Sequence, residues 1–225
     1  MAKFFLMIGF FSFLFAGTSQ AFDKNKTLTI LALGDSTTAG SPAFYSPAEF
    51  PPLGRGDEQS QYAYWIMKLH PEWEVLNRGV FGERADQALA RFKQYADQLD
   101  PDIVVVLAGV NDLHQGFSAA HVEKNLKDIY DLAAAKNIGV MACTILPYSG
   151  STDGVKARMA QVNDWILAES QKRGFLFCDT FRLLEDPQSP GALVSSNDGL
   201  HPDVAGYRKM GEALAEVIQK GRKPD

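Results

Sequence analysis

The run Leu28-Thr29-Ile30-Leu31-Ala32-Leu33, followed at once by Gly34-Asp35-Ser36, decides how this chain is read. An uncharged aliphatic and β-branched stretch of this length reads as a strand buried on both faces. The glycine and aspartate after it mark a sharp turn, which leaves Ser36 at the strand exit. Working outward, strand-like runs recur at residues 74–77, 102–108, 139–145 and 175–179, with Ile103-Val104-Val105-Val106-Leu107 again wholly apolar. Amphipathic segments at 61–69, 85–98, 119–136, 155–173 and 204–220 alternate with them. The alternation predicts an α/β fold: a three-layer α/β/α, doubly wound domain on a mostly parallel five-stranded sheet, flavodoxin-like in arrangement. There is no internal repeat and no linker, so residues 22–225 are expected to form one domain.

In such a sheet ligands bind beyond the carboxyl ends of the strands. The polar clusters of this chain fall there: Ser36 after the first strand, Asn77-Arg78-Gly79-Val80-Phe81-Gly82 after the second, Gly109-Val110-Asn111-Asp112 after the third, and Asp198-Gly199-Leu200-His201 after the fifth. A serine hydroxyl is a poor nucleophile at neutral pH unless a base takes its proton, and the base needs a carboxylate to fix its tautomer. Asp198 and His201 have the spacing to supply both, although an Asp-x-x-His pair alone is more often an ordinary turn.

The four blocks resemble the SGNH, or GDSL-type, hydrolases. Gly34-Asp35-Ser36 is similar to the first block of that family, Gly82 to the second, Gly109-x-Asn111-Asp112 to the third and Asp198-x-x-His201 to the fourth, in the family's order and over most of the chain. The first block departs in ending on Thr37-Thr38 where many members carry leucine. The resemblance implies an esterase in which Ser36 attacks a carbonyl, His201 carries the proton, and Asp198 orients His201. The backbone N–H groups of Ser36 and Gly82 and the side-chain amide of Asn111 would form the oxyanion hole. It implies neither a metal nor an organic cofactor, and no zinc-like spacing occurs in the sequence.

Each of these residues also has a structural reading. Asp35 is expected to accept backbone N–H groups in the turn, Gly79 to serve the strand exit or to replace Gly82, and Asp112 to brace the Asn111 loop. His70, His114 and His121 read as exposed residues beside helix ends. The segment 41–60, with Pro42, Pro47, Pro51 and Pro52 among Phe44, Tyr45 and Phe50, reads as an ordered irregular loop that either shapes the ester pocket or covers the sheet edge.

Residues 1–21 read as a cleavable export signal: Lys3, an apolar run over residues 4–15, then Ser19-Gln20-Ala21. The run is shorter than the ~20 residues of a spanning helix. The expected product is a secreted or periplasmic monomer. Net charge is −5, from 27 acidic and 22 basic residues, and the basic ones are scattered, so nucleic acid is not an expected partner. Cys143 and Cys178 lie in apolar runs and read as buried thiols in neighbouring strands, with a disulfide between them as the alternative in an exported protein. The expected partner is a small-molecule, glycan or lipid ester. Two readings compete with an esterase: a noncatalytic cell-wall glycan-binding module, and a nucleotide binder, against which the lack of a glycine-rich phosphate loop counts.

Overall fold

The computed structural model describes residues 27–46, 49 and 52–222. The expected export signal at 1–21 lies outside the described residues, as do Pro47, Phe50 and Pro51 of the proline-rich loop. Along the chain the elements are β1 (Thr29–Gly34), α1 (Ser36–Ala39), α2 (Tyr62–Leu69), β2 (Glu74–Gly79), α3 (Ala85–Gln98), β3 (Ile103–Leu107), α4 (Val110–His114), α5 (Ala119–Ala135), β4 (Gly139–Cys143), α6 (Asp153–Arg173), β5 (Leu176–Cys178), α7 (Thr180–Leu184) and α8 (Val204–Gly221). The strands lie in the order β2-β1-β3-β4-β5. All four pairings are parallel, beginning with Thr29 opposite Glu74 and Ile30 opposite Ile103.

Side-chain alternation explains why the strands are apolar throughout. Leu31, Leu33, Val104, Val106, Val140 and Ala142 point into one layer, where they meet Phe92 of α3, Leu126 and Ile129 of α5 and Val162 of α6. Their neighbours Ile30, Ala32, Ile103, Val105 and Met141 point into the other, against Tyr62 and Ile66 of α2 and Met210 and Leu214 of α8. Both faces of the sheet are thus covered by helices, as an all-parallel sheet requires. Each large aliphatic side chain buried there contributes on the order of 2 kcal/mol.

The sheet order reverses between β1 and β3, so the loops leaving these two strands diverge and open a crevice. Ser36 and Asn111 stand at its two sides. The 41–60 loop leaves and returns beside this crevice: Ser41 N–H donates to Ser60 O at 3.1 Å, and Tyr45 and Arg55 exchange two backbone bonds at 2.7 and 2.8 Å. Cys143 and Cys178 face each other in register on β4 and β5 as buried free thiols.

Candidate active site

The turn that carries Ser36 is held by hydrogen bonds from two sides. Asp35 caps α1, its Oδ1 accepting the Thr37 N–H at 2.9 Å. Asp35 thus has the expected turn role, and burial pushes its carboxyl up to about 7. Asn77 Nδ2 donates to Thr38 O at 2.8 Å, while Asn77 Oδ1 accepts the Gly79 N–H at 3.0 Å. Gly79 is glycine for steric reasons, since a Cβ there would stand 2.0 Å from Ala39 N. It serves the exit of β2, as expected.

Ser36 is 5 % exposed, and its Oγ lies 2.8 Å from His201 Nε2. On the far side of the ring, His201 Nδ1 lies 2.6 Å from Asp198 Oδ2. A carboxylate accepts only, so Nδ1 carries the proton and Nε2 offers its lone pair to the serine hydroxyl. Asp198 Oδ1 accepts the backbone N–H groups of Leu200 at 2.9 Å and His201 at 2.8 Å. Burial works to raise the Asp198 pKa, but these bonds and the His201 ring outweigh it and hold the carboxyl well below its usual range. Ser196, unremarked in the sequence, closes the loop by donating to His201 O at 2.6 Å and accepting the Gly199 N–H at 2.8 Å.

Gly82 and Asn111 meet from the other direction. Gly82 has φ +73°, a left-handed backbone that favours glycine, and open space where a Cβ would stand. Val80 N–H donates to Gly34 O at 3.0 Å, tying this loop to the turn that carries Ser36. Asn111 Nδ2 donates to Glu83 O at 2.9 Å, which fixes the amide and leaves its second N–H unspent. Asn111 does not cap α4, whose N-cap is Gly109 with no side-chain bond. Asp112 braces the loop as expected, its buried Oδ2 accepting the Ala85 N–H at 2.9 Å.

A buried ion pair, Glu83 with Arg91, holds this side and escapes sequence reasoning because its partners sit on a loop and a helix. Arg91 Nη1 also donates to Arg78 O at 2.7 Å, at the end of β2. Exposed Val80 and Phe81 flank the site, with the Phe81 ring 6.4 Å from that of His201. Among the other histidines, His70 stacks on Trp73 at the opposite end of the strands and His114 lies edge-on to Tyr148. His70 and His121 depart from the exposed reading, both being half-buried. His121 stacks on Phe117 and places Nε2 3.5 Å from Asp112 Oδ1. Together with Asp86 these residues make the group with metal-ligand chemistry among the described residues.

A fixed serine–imidazole–carboxylate chain beside unspent N–H donors has the parts needed for acyl transfer. Comparison with known proteins agrees. The family described as GDSL-like Lipase/Acylhydrolase matches residues 32–209. An arylesterase of Vibrio mimicus is 28% identical over 212 residues, covering 92% of this chain and 94% of that one. The thioesterase 1/protease 1/lysophospholipase L1 of Escherichia coli K12 is 30% identical over 113 residues, 48% of this chain and 47% of that one. Among solved structures, a putative lipolytic protein of the G-D-S-L family from Desulfitobacterium hafniense superposes with TM-score 0.70 at 21% identity, covering 85% of this chain and 99% of that one.

Proposed function

Because the chain belongs to the GDSL-like lipase/acylhydrolase family, the SGNH hydrolases, and is a carboxylic ester hydrolase, we propose that it cleaves its ester through an acyl-enzyme on Ser36. The observation that carries this reading is the unbroken chain of 2.8 Å and 2.6 Å contacts from Ser36 through His201 to Asp198.

As Ser36 Oγ attacks the carbonyl carbon, His201 Nε2 takes its proton, and the carbonyl oxygen becomes an oxyanion. The N–H groups of Ser36 and Gly82 and the second N–H of Asn111 are the donors assigned to that charge. Asp198 remains ionised and stabilises the imidazolium. His201 then gives the proton to the departing alcohol. Water, deprotonated by the same imidazole, releases the acid and restores Ser36. A thioester follows the same steps with a thiol as leaving group.

An organophosphate is expected to label Ser36, and Ser36→Ala is expected to fold normally while hydrolysing aryl esters at background rate. Labelling of another serine, or activity in Ser36→Ala, would overturn the assignment. Rates across aryl esters of increasing acyl length, a thioester and an acetylated glycan then define the substrate. The reading includes export, supported by Lys3, the apolar run at 4–15 and Ser19-Gln20-Ala21. N-terminal sequencing of protein recovered outside the cytoplasm is expected to begin at Phe22.

A further inference from the structure

We infer that Asp86, Asp112 and His121 form a binding site for a divalent cation of the zinc class, joined through Asp112 to the turn that carries Asn111. One ligand atom from each residue falls within 4.8 Å of the others. Asp112 Oδ1 and His121 Nε2 are 3.5 Å apart, close to the ~3.4 Å that separates two ligands of a tetrahedral zinc with bonds of about 2.1 Å.

The Asp112 carboxylate points to a ligand independently of this clustering. Its side chain is wholly buried; Oδ2 is satisfied by the Ala85 N–H, but Oδ1 has no hydrogen-bond partner. A buried carboxylate oxygen left unpaired is costly. The nearest ring atom, His121 Nε2, does not relieve it. Asn125 Nδ2 lies 3.2 Å from Nε2 and also donates to His121 O at 2.9 Å, which sets the amide nitrogen toward the ring. Nε2 therefore accepts from Asn125, and two acceptor atoms, Nε2 and Asp112 Oδ1, face each other. A cation between them resolves that conflict, with the Asn125 amide as the group it displaces.

Asp86 completes the set. Arg84 Nε and Nη2 hold its two carboxylate oxygens at 3.0 and 3.1 Å, and each oxygen keeps a further lone pair for a metal. Carboxylates that ligate a metal are commonly themselves held by hydrogen bonds of this kind. Phe117, stacked on the His121 ring at 4.5 Å, fixes the orientation of that ring. One imidazole and two carboxylates suit zinc, whereas magnesium and calcium prefer all-oxygen shells. The partial exposure of Asp86 and His121 gives the ion an entry and leaves a fourth position to water. A bound ion would fasten the Asn111 turn to the first turns of α3 and α5 as a positioning device, without touching the reacting atoms.

The test is calorimetric titration of the chelator-dialysed full chain with Zn2+, alongside melting curves with and without the metal. One equivalent is expected to bind and to raise the melting temperature. His121→Ala and Asp86→Asn, each melting like metal-free wild type, are expected to bind ~10-fold more weakly or worse. His201→Ala is expected to bind as wild type, which separates this site from the Ser36–His201–Asp198 chain. Absence of a single Zn2+ site in wild type, undiminished binding in both His121→Ala and Asp86→Asn, or loss of binding in His201→Ala would each overturn the inference. None of these readouts depends on ester hydrolysis.

Discussion

On the Asn111 side of the rim the braces reach across long stretches of chain. Asn111 Nδ2 finds Glu83 O 28 residues away, Asp112 Oδ2 accepts from Ala85 across 27, and Arg91 Nη2 approaches Gly34 O across 57. The His201 side is built chiefly by local contacts, Ser196 being bonded to His201 O five residues on and Asp198 to the His201 ring three residues on, with the Ser149 N–H donating to Gly199 O at 2.7 Å as its longer-range tie. Contacts between distant segments exist only once the fold has formed, so their loss is felt in folding stability as well as in rate. Local contacts aim a side chain while contributing little to the global fold. The two sides of one site are therefore expected to fail differently.

The largest effect is expected on the local side. His201→Ala removes the proposed proton carrier and is expected to lower kcat by ~10⁶, with a melting temperature close to wild type. A comparable loss of stability would erase the contrast. On the long-range side, Asn111→Ala is expected to lower kcat by ~10² to 10³ with KM nearly unchanged, because the oxyanion forms only in the transition state. Asn111→Asp is expected to be worse, since its carboxylate would face both the oxyanion and Glu83 O. Near-wild-type kcat in Asn111→Asp would remove Asn111 from the oxyanion hole. Arg91→Ala tests the brace itself. It leaves Glu83 buried beside the site without its partner and is expected to cost about 3 kcal/mol in urea denaturation, the lower end for breaking a buried pair. Arg91→Ala with full stability and altered kcat would mean that the pair aims the Gly82 loop without holding the fold.

The same contrast accounts for what the sequence discloses. β3 is plain in Ile103-Val104-Val105-Val106-Leu107 because both of its faces are buried. β2 was expected to stop at Asn77 yet runs to Gly79, because Asn77 and Arg78 look polar until Asn77 is seen bridging to Thr38. The short helices α1, α4 and α7, of four or five residues, carry no period to detect, whereas α3 lies at the expected 85–98. Ser36, His201 and Asp198 were legible because each follows a strand or lies close to its partner. Glu83 with Arg91, and Asp112 with His121, were not, since only the fold brings those segments together. His121 was misplaced for that reason: its surroundings are set by Asp112 and Phe117 rather than by its neighbours in sequence.

The smallest effect concerns pH, where two carboxylates on the rim act with opposite sign. Buried Asp35 has its pKa raised from 3.8 to about 7, chiefly by desolvation, with nearby Glu83 and Asp112 adding to the rise against the Thr37 hydrogen bond. The folded chain therefore keeps a proton that the unfolded chain has released. Its contribution to stability is full below 3.8 and is lost as pH rises through about 7. Asp198 is the reverse: burial is outweighed by the His201 ring and by the His201 and Leu200 N–H groups, so its pKa is lowered. Its contribution is present above the ordinary carboxylate value and is lost as pH falls through the lowered one. Between about pH 6 and pH 8 the Asp35 effect should cost wild type roughly 1 kcal/mol. That corresponds to about 3 °C in melting temperature for a chain of this size. Asp35→Asn keeps an acceptor for the Thr37 N–H and has no proton to lose. Melting temperatures of the two proteins are therefore expected to diverge as pH rises, with the variant losing less. Parallel curves across that range would show that Asp35 is already ionised in the fold, and that the interior of the turn carrying Ser36 tolerates charge as readily as the exposed His201 loop does.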